Sequence, residues 1–234
     1  MPGSIVHLAI AENVYRAICN INNSEEYYNK FIIGNLLPDV INEKDKYYSH
    51  CWDMDMYKSV FREPIMSIFY DRYNISSVKD MFDNPLLLGY FCHLSSDMLF
   101  IREYWEKHFI FYDEKMNVTR LLAEAAYAKV DYSNRIYPKS EFLSNKQYYG
   151  DYDILWHYIK EEYHVNDLKK EYSELLLSLD NYDVDINKYD RMISNKEEFD
   201  KDKVCNVLDV KLIEEYIRKT IGELTSIILK ELHQ

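Results

Sequence analysis

Apolar positions recur along most of this chain with a helical period. Ile10, Val14 and Ile18 follow His7 at spacings of three, seven and eleven. That pattern predicts a helix over Ile5–Asn20 with His7 on its apolar stripe. Asn23 with Glu26 three positions later resembles a capping box for a second helix, Glu25–Ile33, which Gly34 is placed to end in the left-handed conformation. The phrase GNLLPDV follows, with Pro38 fixing the backbone before Asp39, and a polar loop through Lys44, Asp45 and Lys46 leads to Ser49 and His50. Pro64 marks the first turn of a helix to about Tyr73, and Ser77–Asp80 caps a short one. Asn84–Pro85 opens a long central helix to about Phe111. Further helices are predicted over Asn117–Val130, Ile154–Tyr163, Asp167–Leu179 and Val210–Leu232, with a loop over Asp131–Gly150 and a solvated, charged stretch over Asp180–Lys203. No repeat and no clear linker interrupts the pattern, so the expectation is a single all-α domain over residues 1–234.

One stretch departs from amphipathic patterning. Leu86–Phe100, LLLGYFCHLSSDMLF, is apolar almost all the way round and reads as a buried helix. His93 and Asp97 interrupt it four residues apart, on one helix face. A carboxylate in such surroundings is costly unless it is paired or holds a cation. Taken alone the two are better explained by a hydrogen-bonded core pair.

Composition narrows the class. The chain has 234 residues, 47% hydrophobic and 29% charged, with only five Gly and five Pro. Scarce turn residues favour long helices over an all-β fold. The net charge of −12 argues against a basic footprint for duplex nucleic acid, so no nucleic-acid partner is expected, nor docking on anionic membrane through a basic face. No apolar run is long enough to span a bilayer. The N-terminal stretch lacks a basic segment and reads as a mature N-terminus rather than a signal peptide. Cys19, Cys51, Cys92 and Cys205 form no CxxC pair, which fits a reduced, cytoplasmic protein without a thiolate zinc site.

The polar intruders gather into a set: His7 on an apolar stripe, Asp39 in a proline-fixed turn, His50 at a loop end, and His93 with Asp97 in the core helix. Imidazole and carboxylate ligands without thiolates suit zinc, and manganese or iron less well. The order His7, GNLLPDV with Asp39, SH with His50, and GYFCHLSSD with His93 and Asp97 resembles the bacterial zinc-dependent phospholipase C family. The resemblance covers about residues 5–105, and beyond that only helical character matches. It implies an all-helical fold, shared with fungal zinc-dependent single-strand nucleases, with a site for one to three zinc ions between helices. His50, His93 and Asp97 would hold one zinc with Asp39. His7 and Asp97 would help hold a neighbouring ion, with Asp97 bridging. Asp39 would also be the base for the attacking water. The implied substrate is a small phosphodiester or phospholipid-like molecule.

The chain departs from the family pattern in two places. Family members use an N-terminal amine as a ligand, whereas His7 lies six residues in. They also carry a His-x3-Glu pair after HxxxD. Here Arg120 and Glu124 occupy the nearest place, and the His-x3-Glu that exists is His157 with Glu161, followed by His164. His108 is a further histidine in an aromatic context. These departures keep open an alternative: a degenerate member with a structural metal site, acting as a non-catalytic binding protein. Asp151 and Asp153 read as an N-cap with a neighbouring surface charge. An HD-type phosphohydrolase is excluded because no adjacent His-Asp dipeptide occurs.

Overall fold

Helices dominate the computed structural model, which describes residues 2–42, 46–179, 182–193 and 205–232. In chain order the helices are α1 (Ser4–Ile18), α2 (Glu25–Val40), α3 (Lys46–Ser49), α4 (Met54–Lys58), α5 (Met66–Tyr73), α6 (Pro85–Phe100) and α7 (Glu106–His108). After the strands β1 (Phe109–Tyr112), β2 (Tyr127–Val130) and β3 (Arg135–Pro138) come α8 (Lys139–Phe142), α9 (Tyr148–Glu162), α10 (Tyr172–Leu177), α11 (Ile186–Ile193) and α12 (Val210–Leu232). The expected stretch Asp180–Lys203 contains α11; residues 180–181 and 194–204 lie outside the described residues.

The centre is the crossing of α2 and α6, the most extensive helix pair. Two glycines make it possible. A methyl at Gly34 would overlap the Leu86 carbonyl, and one at Gly89 would overlap the Phe31 carbonyl. Gly34 therefore does not end a helix, as the sequence suggested. It lies inside α2 because only a residue without a Cβ admits the facing backbone. The cap at the other end also differs: Ser24, not Asn23, accepts the Tyr27 N–H. Helices α1 and α12 pack against this centre and each other. Their buried positions include Val14 and Ile18, on the predicted stripe of α1, and Leu224 and Ile228 on α12.

The predicted helix Asn117–Val130 is not formed. Instead β1, β2 and β3 make a small antiparallel sheet in that order, with Phe109 opposite Val130 and Tyr127 opposite Pro138. The cause is a local period of two. Phe109 and Phe111 are buried while Ile110 and Tyr112 are half-buried, and Ala128 and Val130 repeat this on β2. Asn134, at a left-handed φ of 53°, turns the chain between β2 and β3. The central α-helix correspondingly stops at Phe100 and passes through a π-turn, Ile101–Trp105, before α7. The expected loop Asp131–Gly150 carries β3, α8 and the start of α9, and the helix expected over Asp167–Leu179 is confined to α10.

Among the described residues, no helix is long and apolar enough to cross a membrane. The four cysteines are free thiols. Cys92 is fully buried and burial pushes its thiol up, which fits a packing role.

Candidate metal centre

The five side chains singled out in the sequence meet at one place. His7 comes from the first turn of α1, Asp39 from the last turn of α2, His93 from the middle of α6 and Asp97 from its last turn. His50 directly follows α3, and the next residue, Cys51, takes a left-handed φ of 53°. That conformation is uncommon for a residue with a Cβ. It reverses the chain so that His50 and Trp52 stack, with ring centroids 4.9 Å apart.

Asp97 turns Oδ1 toward His7 Nε2 at 3.3 Å and Oδ2 toward His93 Nε2 at 3.3 Å, with His50 Nε2 at 3.9 Å. His50 Nε2 lies 3.4 Å from Asp39 Oδ1. The His7 and His93 rings stack at 3.9 Å and 10°. His7, Asp39 and His93 form one group whose ligand atoms lie within 4.8 Å of one another, and His50, His93 and Asp97 form a second. The sequence expectation joined Asp39 with His50, His93 and Asp97; proximity joins Asp39 to His7 as well.

The outer nitrogens fix how each ring is protonated. His93 Nδ1 lies 2.7 Å from the Asn35 carbonyl oxygen, which can only accept, so Nδ1 carries the proton. Ser96 Oγ donates to the His93 carbonyl at 2.8 Å and so accepts from His7 Nδ1 at 2.9 Å. Ser49 Oγ donates to the Pro38 carbonyl at 3.0 Å and accepts from His50 Nδ1 at 2.9 Å. All three Nε2 lone pairs therefore point inward. Two tyrosines brace the serines' backbone: Tyr90 donates to the Ser49 carbonyl, and Tyr216 on α12 to the Ser96 carbonyl at 2.7 Å.

The inner atoms have no other partners. His7, His50 and His93 Nε2 and both Asp97 oxygens are buried without a hydrogen bond. Five such atoms in one cluster cost far more than a folded chain tolerates unless something binds them. Two ligands at zinc–ligand distances of about 2.0–2.1 Å in a tetrahedron stand roughly 3.3–3.4 Å apart. The separations of 3.3 and 3.4 Å match that spacing. Donor set, tautomers and spacing all fit zinc.

Electrostatics point the same way at two of the three rings. Burial pulls the His7 and His50 imidazoles below their ordinary value despite the nearby carboxylates, keeping them neutral. Burial also acts to lower His93, but Asp97 and Asp39 outweigh it and raise it. Burial works to raise Asp39 and Asp97, and the surrounding imidazoles overcome it and hold both ionised.

Four of the five residues are fully enclosed; the Asp39 side chain is 19% exposed. Asp39 opens onto a cleft of about 470 Å³ whose wall includes Trp52, Val60, Ile101, Trp105 and Phe111. The other sequence candidates stand apart from the cluster. His108, Glu124, His157, Glu161 and His164 belong to neither ligand group among the described residues. Glu124 accepts from the Thr119 hydroxyl, and Arg120 pairs with Glu106. Asp151 is not a surface N-cap; it is fully buried and accepts three backbone N–H groups from Asn206, Val207 and Leu208. The sequence reading missed Ser49, Ser96 and Trp52. Ser49 and Ser96 each immediately precede a predicted ligand, which is the only signal they carry.

A family model described as zinc dependent phospholipase C matches residues 6–230. The chain belongs to the zinc-dependent phospholipase C family. The match extends through the C-terminal half, where the sequence resemblance had offered only helical character. Comparison with curated proteins and with solved structures gave no match.

Proposed function

We propose that the chain hydrolyses a phosphodiester of the phospholipid kind, with zinc held by His7, Asp39, His50, His93 and Asp97. The observation that carries this reading is the convergence of three inward Nε2 lone pairs and an unpartnered carboxylate beside a cleft that Asp39 alone of the five lines. His50, His93 and Asp97 would hold one ion together with Asp39, and His7 with Asp97 would help hold a neighbour. A zinc ion held there would supply Lewis-acid polarisation of the diester and offset its developing charge. Asp39, ionised and facing the cleft, orients the attacking water and accepts its proton as the bond from phosphorus to the leaving alkoxide breaks. The aromatic wall seats the acyl part of the substrate and excludes water from the reacting phosphate.

The test is release of diacylglycerol from phospholipid by the zinc-loaded protein, beside Asp39→Asn. The variant is expected to keep most of its zinc and to lose about 10²–10⁴-fold in rate, the usual worth of a positioned base. An unchanged rate rules out the role of Asp39. A second reading is favoured by the absence, among the described residues, of a His-x3-Glu pair near the centre: a non-catalytic member with structural ions, for which zinc would bind without any turnover.

A further inference from the structure

We propose that the rim of the cleft is a docking surface for a zwitterionic phospholipid layer, from which substrate passes directly into the cleft. The inference rests on the phospholipid reading above and adds the kind of surface on which the protein takes its substrate. Among the described residues, twelve large apolar or aromatic side chains stand exposed. Scattered singly, such side chains need no explanation. Here eight of the twelve lie on three segments that border the cleft. Tyr47, Tyr48, Met54 and Tyr57 fall between the cleft residues Lys46 and Ser59, and Tyr149 is itself part of the cleft wall. Met116, Val118 and Leu121 lie on the connection that reaches the wall at Leu122.

Backbone pairing holds the first and last of these segments side by side. Ser59 faces Leu121 across an antiparallel bridge. The Leu122 N–H donates to the Lys58 carbonyl at 2.8 Å, and the Val60 N–H to the Arg120 carbonyl at 2.9 Å. The Tyr47 and Tyr57 rings meet edge to face at 6.3 Å. The exposed side chains therefore form one rim rather than unrelated loops. Its tip is held in place: Met116 takes a left-handed φ of 63° in a turn where the Asp113 carboxylate accepts the N–H groups of Lys115 and Asn117, each at 2.8 Å. Asparagine or glycine adopts that conformation with less strain, yet the turn presents an exposed methionine.

Place, charge and residue type together select the occupant. A macromolecule seated on the rim covers the mouth of the cleft, and only one that carries the substrate does so without blocking it. The segments Lys46–Lys58 and Asp113–Leu121 hold four acidic and four basic residues, on a chain of net charge −12. A patch without net charge on an acidic protein offers nothing to an anionic layer and matches one whose head groups are neutral overall. Tyrosine settles at head-group level, while methionine, valine and leucine reach the acyl boundary.

The test is co-sedimentation of the zinc-loaded protein with vesicles of a phosphonate analogue of phosphatidylcholine that cannot be cleaved, beside the same vesicles doped with phosphatidic acid. Tyr57→Ser, Met116→Ser and Val118→Ser are each expected to weaken binding to the neutral vesicles about 3–10-fold, what burial of half an apolar side chain contributes, and together by roughly 10²-fold, with zinc content unchanged. Ile136→Ser and Leu177→Ser, comparably exposed but off the rim, should leave binding as it was. Phosphatidic acid should weaken it. Equal binding by the triple variant, binding that requires the anionic lipid, or a protein that ignores neutral vesicles, whether or not it self-associates through the rim, would each overturn the inference. Hydrolysis separates it from the reading beneath it: the triple variant should cleave monomeric dihexanoylphosphatidylcholine at the wild-type rate while losing activity on phosphatidylcholine vesicles. Vesicle binding that the triple variant loses, with neither substrate cleaved by the wild type, would defeat the hydrolase reading and leave the docking surface standing.

Discussion

Asp97 and Asp151 are both fully buried carboxylates on helices, yet the fold treats them in opposite ways. Asp151 is saturated. Its Oδ1 accepts the Asn206 N–H at 2.9 Å, and its Oδ2 accepts those of Val207 and Leu208 at 2.6 and 2.8 Å. Asp97 accepts no hydrogen bond on either oxygen, and faces three imidazole lone pairs instead. One carboxylate is spent on backbone order ahead of α12, and the other is kept open. A buried acid whose needs are met by main-chain donors is architecture; one surrounded only by lone pairs is waiting for a cation.

The largest effect that would break this contrast is loss of metal from Asp97→Asn. Zinc content, read by elemental analysis, should fall by more than the 10–100-fold affinity loss that removal of a supporting group causes, because a ligand itself is gone. Stability should respond in the opposite sense: once stripped of metal, the wild type should melt no higher than Asp97→Asn, because the variant no longer buries an uncompensated charge. A clearly lower melting point for the stripped variant would mean that Asp97 is structural after all.

Asp151→Ala comes next. It orphans three amide donors and should cost about 3–5 kcal/mol in urea unfolding, with zinc stoichiometry of the folded fraction unchanged. A milder case of a satisfied carboxylate is Glu12, buried and accepting from Tyr28 and from Asn166. Between the two in effect stands Ser96→Ala. It leaves every ligand in place but removes the hydroxyl that sets the His7 tautomer, so zinc affinity should drop roughly 10–100-fold with little change in the metal-free melting curve. Smallest is Glu12→Gln, expected to cost about 1–2 kcal/mol without touching zinc content. Loss of zinc in that variant would show that the two kinds of buried acid are not independent.

The helical class of the fold and the clustering of the candidate site residues were both legible in the sequence. His93 and Asp97 stood out because ionisable groups contradict an apolar run, and that contradiction survives without knowledge of any contact. His7 was visible for the same reason on the α1 stripe. Ser49 and Ser96 were not, since a serine beside a ligand looks like any other serine until its hydroxyl is seen bridging a ring nitrogen and a carbonyl. Gly34 was misjudged because helix ends and helix crossings both demand a missing Cβ, and only the partner Leu86 tells them apart. Strands β1 and β2 were hidden by their length: four residues of period two within a helical background are outweighed by the neighbouring apolar spacing. Asp151 escaped because its donors lie more than fifty residues ahead and are backbone groups, which no side-chain pattern encodes.

The placement of the five site residues within positions 7 to 97 has a consequence for biosynthesis. Helices α1, α2 and α6 leave the ribosome well before α12, whose Tyr216 props Ser96. At about 5–20 residues per second, several seconds separate the two events. During that interval the nascent chain presents imidazoles and carboxylates without their last brace. On the proposed reading, zinc captured in that interval would be a template on which the later half closes.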